Sequence, residues 1–216
     1  EVSSGPSSYT RLELPLVGRD AELAVLTAAF QASVDQRLCR RITVRGDTGI
    51  GKSRLIYELQ DDLPADVRVL RGACLPYGEG ITFWPVVEII QAASGVTASE
   101  DVAAARDAIA GIVTDAGAAL RLWSLAGLID RQFPVAELFW AVRLMLRDLA
   151  ADCPLVVVAD GLHWAEPTLH DLLQDLVSNL RDAPVLLITM ERPSETEAVA
   201  AEAPATDQQI LELGPL

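Results

Sequence analysis

The chain has 216 residues, half of them hydrophobic and few aromatic, and its 31 acidic against 17 basic side chains leave a net charge of −14. That length suits one large domain, and a composition rich in Ala, Val and Leu fits a layered α/β core better than an all-β one. So acidic a surface repels phosphodiester backbones and anionic lipid, which argues against nucleic acid or a membrane as a direct partner, and no window approaches the roughly 18 apolar residues of a membrane span.

Residues 1–11 are rich in Ser, Gly and Pro with nothing to bury, and they lack the basic and apolar stretches of a signal peptide; they read as a linker, with the domain over residues 12–216. Leu23, Leu26, Phe30 and Val34 recur at helical spacing after Asp20, a candidate N-cap, and predict a helix over residues 20–37. A short strand is expected at 42–45. The segment 46–53 follows it directly, and Leu55, Ile56, Leu59 and Leu63 then place an amphipathic helix that Pro64 ends. A second strand is expected at 67–72 and a long loop at 75–85. Helical character then runs over 86–93, 99–113, 116–128 and 135–151, an all-helical insertion at about 82–151. The apolar run 154–160 ends in Asp160 and has the pattern of a strand covered on both faces. A helix entered through Pro167, a second buried strand at 184–190 and a short strand at 209–213 complete an alternation that predicts a parallel sheet wound by right-handed crossovers.

The chemistry concentrates in Gly46-Asp47-Thr48-Gly49-Ile50-Gly51-Lys52-Ser53, followed by Arg54: the full G-x-x-x-x-G-K-[S/T] pattern of a phosphate-binding loop, in the strand–loop–helix setting that this motif requires. Lys52 is the chain's single lysine against 16 arginines. A compact ammonium reaches between two phosphates where a planar guanidinium does so poorly. The glycines let main-chain amides converge on an anion, the helix start adds its positive end, Lys52 spans the β- and γ-phosphates, and the Ser53 hydroxyl is a ligand for Mg²⁺. Asp160, at the end of a strand expected beside the loop, is the carboxylate partner of that Mg²⁺. A nucleotide polyphosphate is therefore the expected ligand.

The position after the metal aspartate commonly carries a second acid that orients the attacking water, and here it is Gly161. Glu166 is weighed as a replacement, against the favoured reading of a helix-start acid that complements the dipole. Thr189 and Arg192, at the end of the next strand, are candidates for a γ-phosphate sensor and a charge clamp, against a plain strand-end threonine and a surface arginine. His163, His170 and Trp164 read as packing or solvated residues. Cys39, Cys74 and Cys153 form no paired motif and read as free thiols in a reducing compartment, hence cytoplasmic.

The stretches LVGRD with Glu22-Leu23, GDTGIGKSRL, RGACLPYGEGITFWPVVEII, VVVADGLHWAEPTL and LLITMERP closely resemble the ATPase module of signal-transducing (STAND/AAA-type) P-loop NTPases. They are similar in particular to large ATP-binding LuxR-family regulators and nucleotide-cyclase-linked ATPases. The resemblance covers residues 14–216. It implies that Val17, Gly18 and Arg19 lie near the adenine, that the sheet order is 5-1-4-3-2, and that the module is an ATP/ADP-dependent switch within a larger regulator, with self-association and the regulator's other domains as partners. Family members normally read Asp-Asp before Leu-His-Trp, so Gly161 bears on turnover and not on binding. The lid and effector segments that the family carries are expected to lie outside this stretch. Slow or partner-dependent ATP hydrolysis is the leading expectation, a binding-only scaffold the alternative, and a small-molecule phosphotransferase the least supported.

Overall fold

A computed structural model describes residues 18–76, 82–97, 101–193 and 207–215. Five strands, β1 (Cys39–Arg45), β2 (Arg68–Ala73), β3 (Leu155–Asp160), β4 (Val185–Glu191) and β5 (Gln208–Glu212), form one parallel sheet in the order β2-β3-β4-β1-β5. This is the 5-1-4-3-2 order expected of a P-loop NTPase. Strands β3 and β4 are buried along nearly their whole length, which is why each reads as an unbroken apolar run.

Helices α1 (Asp20–Gln36) and α2 (Lys52–Asp62) cover one face of the sheet, where Leu26, Phe30, Leu55, Ile56 and Leu59 meet Ile42, Val44, Val156, Val158, Ile188 and Met190. The other face carries α3 (Trp84–Ser94), α6 (Val135–Asp152) and α7 (Pro167–Asn179), with α4 (Val102–Ala110) and α5 (Ala116–Leu125) outside them, packed on Leu70, Leu155, Val157, Val185 and Leu187. Alternate residues of each strand thus feed alternate layers of an α/β/α sandwich. The four helices α3 to α6 form the insertion between β2 and β3. Asp101 and Asp115 cap two of them, accepting from the Ala103 amide at 3.2 Å and the Ala118 amide at 2.8 Å.

Two details depart from the sequence reading. Asp20 is the first helical residue and not the cap; Arg19 holds that place without a side-chain cap bond, while Asp20 and Glu22 complement the helix dipole from the first turn. Strand β1 also begins at Cys39, before the expected 42. Its first half is disguised by Arg40, which pairs with Asp207 at 3.6 Å, and by Arg41, which is half-buried and whose guanidinium donates to Thr189 at 3.4 Å. Arginines that lie inside a fold in this way break the apolar signature of a strand.

Candidate phosphate-loop site

The loop between β1 and α2 is anchored at both ends: Gly46 N–H donates to the Glu191 carbonyl at 3.3 Å, and Leu55 N–H closes the first helical turn on the Gly51 carbonyl at 2.9 Å. Between these anchors Gly49 and Gly51 adopt φ of +82° and +107°, and a methyl group added to either would meet nothing within 4 Å. The loop is thus left-handed where only glycine is comfortable, and it is open to space beside both glycines. Gly46 differs. A side chain there would lie 2.9 Å from Ile50 Cγ2 and 3.0 Å from the Leu213 carbonyl, so its glycine serves packing against the segment after β5.

Lys52 opens α2 and folds its ammonium back onto the loop, donating to the carbonyls of Gly46 at 2.6 Å and Asp47 at 2.9 Å. Partial burial lowers its pKa below the ordinary lysine value; Asp160 and Asp47 pull it up, and Arg192 pushes it further down. Arg192 is exposed and lies within electrostatic reach of both Lys52 and His163. Lys52 and Arg192 therefore raise a local positive field on a strongly acidic protein, and an arriving polyphosphate relieves their mutual repulsion.

Beside the loop, a cavity of about 560 Å³ opens between α2, α3 and the C-terminal ends of β2, β3 and β4. Ser53 and Asp160 share its wall. Asp160 is half-buried and accepts from the Gly161 amide at 2.6 Å, which fixes one carboxylate oxygen. Among the described residues no cluster of three or more His, Cys, Asp or Glu could hold a metal by itself. One hydroxyl and one carboxylate beside a phosphate loop instead fit Mg²⁺, which takes few protein ligands and completes its shell with phosphate oxygens and water.

The remaining sequence candidates separate. Arg54 pairs with Glu58 at 3.2 Å along α2. Arg19 is buried, donating to Glu22 at 2.7 Å and to the Gly214 carbonyl, so it ties the start of α1 to the segment that packs on Gly46. This brings Gly18 and Arg19 beside the loop, but gives the guanidinium a clamping role. Val17 lies outside the described residues. Thr189 is fully buried, bonded to the Thr43 hydroxyl at 2.9 Å and to Arg41. It stands one residue out of phase with Met190, which lines the cavity, and so faces the opposite layer and does not reach the loop. Glu166 sits at the N-cap of α7 with its carboxylate bonded to the Thr82 hydroxyl, in a separate small pocket, and is not directed at the phosphate loop.

Gly161 is favoured by the backbone. It adopts φ +70° and ψ +31°, leading into a 3₁₀ turn at Leu162–Trp164 that the sequence did not predict, and a Cβ there would lie 3.2 Å from the Cys74 carbonyl. Burial pushes the Cys39 thiol up to about 12 and the Cys74 thiol up to about 11, so neither is a thiolate at neutral pH. The sequence reading also passed over Glu88 on α3, which lines the same cavity as Ser53 and Asp160. Its signal was there: one carboxylate inside the apolar run Pro85-Val86-Val87-Glu88-Ile89-Ile90.

Residues 15–188 match the family described as AAA ATPase domain. The chain belongs to that family. An uncharacterized protein of Rhizobium meliloti (strain 1021) is 33% identical over 208 aligned residues, covering 87% of this chain and 19% of that protein. The chain thus spans about a fifth of the curated relative it matches. Among solved structures, that of Drosophila ORC bound to DNA superposes with a TM-score of 0.53 at 14% identity, over 98% of this chain and 49% of that one. At that identity the likeness is one of fold, and it agrees with the strand order of this AAA ATPase domain.

Proposed function

We propose that this AAA ATPase domain is the Mg-ATP-binding switch of a larger cytoplasmic signalling or transcriptional regulator of the STAND type, with slow or partner-dependent hydrolysis. The observation that carries the reading is the shared cavity wall of Ser53 and Asp160 immediately beside Lys52. In this reading residues 46–54 cradle the phosphates, Lys52 leaves the Gly46 and Asp47 carbonyls for the β- and γ-phosphates, and Arg192 adds charge at the rim. Ser53 and Asp160 would hold Mg²⁺, which would supply neutralisation of phosphate charge. Gly18 and Arg19, with Val17 before them, support the adenine end. The match to a small part of a long relative supports a place in a larger protein, whose other domains, together with self-association, are the proposed partners.

Calorimetric titration with ATP and ADP, with and without Mg²⁺, tests it. Wild type is expected to bind, and Lys52→Ala to lose about 100-fold in affinity, the order expected for a charge-assisted contact to phosphate. Equal binding by the two proteins sinks the site. A second reading, a scaffold that binds without turnover, is favoured by one observation: position 161 carries no acid, its positive φ and the nearby Cys74 carbonyl disfavour one, and Glu166 is engaged elsewhere. Phosphate release at background from a protein that binds ATP would select it.

A further inference from the structure

We propose that Glu88 is the carboxylate that orients the attacking water, taking from α3 the part that Gly161 cannot play. The inference rests on the reading of the site as one that hydrolyses Mg-ATP. Among the described residues the cavity beside the phosphate loop is lined by two carboxylates, Asp160 and Glu88. Their placement is fixed by the sheet. Ala73 ends β2 in register with Asp160 at the end of β3, and the outward N–H of Ala73, unpaired by any strand because β2 is the sheet edge, donates to Glu88 Oε2 at 2.7 Å. Glu88 is therefore held across the strand end from Asp160. The thiol of Cys74 is raised by both carboxylates after burial, which agrees with their flanking it.

The helix is pinned to the strand. A Cβ on Gly72 would lie 2.2 Å from the Pro85 carbonyl, so α3 approaches β2 as closely as only glycine permits, and Glu88 stands one turn further along. Val86, Ile89 and Ile90 bury themselves on the far face, which leaves Glu88 and Gln91 for the cavity. Arg71, whose guanidinium lies 4.4 Å from the centre of the Tyr57 ring, offsets part of the negative charge in the same wall.

Glu88 Oε1 holds no protein hydrogen bond among the described residues and is available to a water. In the step proposed, the water oxygen bonds to Pγ of ATP, and the bond from Pγ to the β,γ-bridging oxygen breaks, leaving its electron pair on ADP. The water proton passes to Glu88 and from it to phosphate or solvent. General-base assistance of this kind is worth about 100-fold or more.

Three variants, Glu88→Gln, Glu88→Asp and Glu88→Ala, read by calorimetry, thermal melting and single-turnover release of phosphate from γ-labelled ATP, separate the possibilities. Gln keeps an oxygen for the Ala73 amide and cannot take a proton. The expected result is that Glu88→Gln keeps wild-type Tm and ATP affinity yet releases phosphate about 100-fold more slowly. Its residual rate should lose the acid-side fall with pH that wild type shows, while Glu88→Asp recovers part of the rate. Glu88→Ala should in addition melt earlier. Turnover by Glu88→Gln within about threefold of wild type, or loss of Tm or of ATP affinity in that variant, makes Glu88 a strand-edge cap and overturns the proposal while leaving the ATPase reading intact. Wild type that binds ATP without releasing phosphate overturns both hydrolysis and this role, and leaves the binding reading.

Discussion

Strands β1 and β3 run parallel in the sheet, end on the same side of it, and lead into turns that hold glycine with positive φ, yet the two turns do opposite things. After β1, Gly49 and Gly51 face space, with nothing within 4 Å of where a side chain would begin. After β3, Gly161 has the Cys74 carbonyl at 3.2 Å and the Trp164 and Cys74 side chains at 3.6 and 3.7 Å from where a side chain would begin. The same residue type in the same region of φ thus serves access in one turn and packing in the other. Both turns matter to the site, because the first leaves room for phosphate and the second aims Asp160. The lesson is that glycine after a buried strand signals a ligand only where the space beside it is open.

The closed extreme of this contrast gives the largest expected effect. At Gly72 the obstacle is backbone, 2.2 Å away, which no rotamer change relieves. Gly72→Ala is expected to cost about 3 kcal/mol or more by forcing α3 off β2, and to carry Glu88 away with it. Urea unfolding measures the cost; a loss below about 1 kcal/mol would mean that the helix shifts freely, and would weaken the argument that it is pinned.

Intermediate effects sharpen the comparison itself. Gly49→Ala and Gly161→Ala each place a Cβ at positive φ, so each should lose about 1–2 kcal/mol of stability. They are expected to part in a titration with Mg-ATP. The methyl group of Gly49→Ala intrudes on the space before the loop amides and should weaken binding about tenfold or more, whereas Gly161→Ala should bind as wild type does. Gly161→Glu should likewise bind without gaining turnover, since strain and the Cys74 carbonyl prevent an acid there from taking up the geometry that water activation needs. A faster Gly161→Glu enzyme would show that the turn is softer than its contacts imply.

What the sequence made legible follows the same physics. The strands at Leu155–Asp160 and Val185–Glu191 announce themselves because burial on both faces demands unbroken apolar runs, and the loop announces itself because phosphate geometry demands those residues at that spacing. Hidden features depended on contacts far apart along the chain. Arg41 lies outside the expected strand, yet it is half-buried against Thr189; Thr189 reads as a sensor or a plain strand-end threonine, and strand parity turns it away from the cavity. Glu88 stands out locally as one carboxylate in an apolar run, but its partner, the Ala73 amide at the edge of another element, is not encoded there. Glu166 sits at the start of its helix, the position its sequence context suggests, with an added tie to Thr82.

The smallest effect probes the electrostatics of the open turn from the closed one. His163 follows Gly161 in the 3₁₀ turn, exposed and 5.0 Å from the Trp164 ring, and its pKa lies below the ordinary 6.5 through desolvation and then the charges of Arg192 and Lys52. A lowered histidine pKa means that, between its folded and unfolded values, the unfolded chain holds more protons. The fold thus gains stability as pH rises through that window and loses it as pH falls below 6.5 toward the folded value. Phosphates seated over Lys52 cancel the field that depresses His163, so its pKa should climb on binding. Binding then takes up a fraction of a proton, and affinity should rise modestly from about pH 7 to about pH 6. The chain has 2 histidines, so side-chain NMR resolves His163 against His170 as an internal reference. Arg192→Gln should raise the His163 value in the free protein and shrink the further rise on adding Mg-ATP. A His163 titration that ignores saturating nucleotide would place the phosphates away from Lys52, whatever the loop's amides offer.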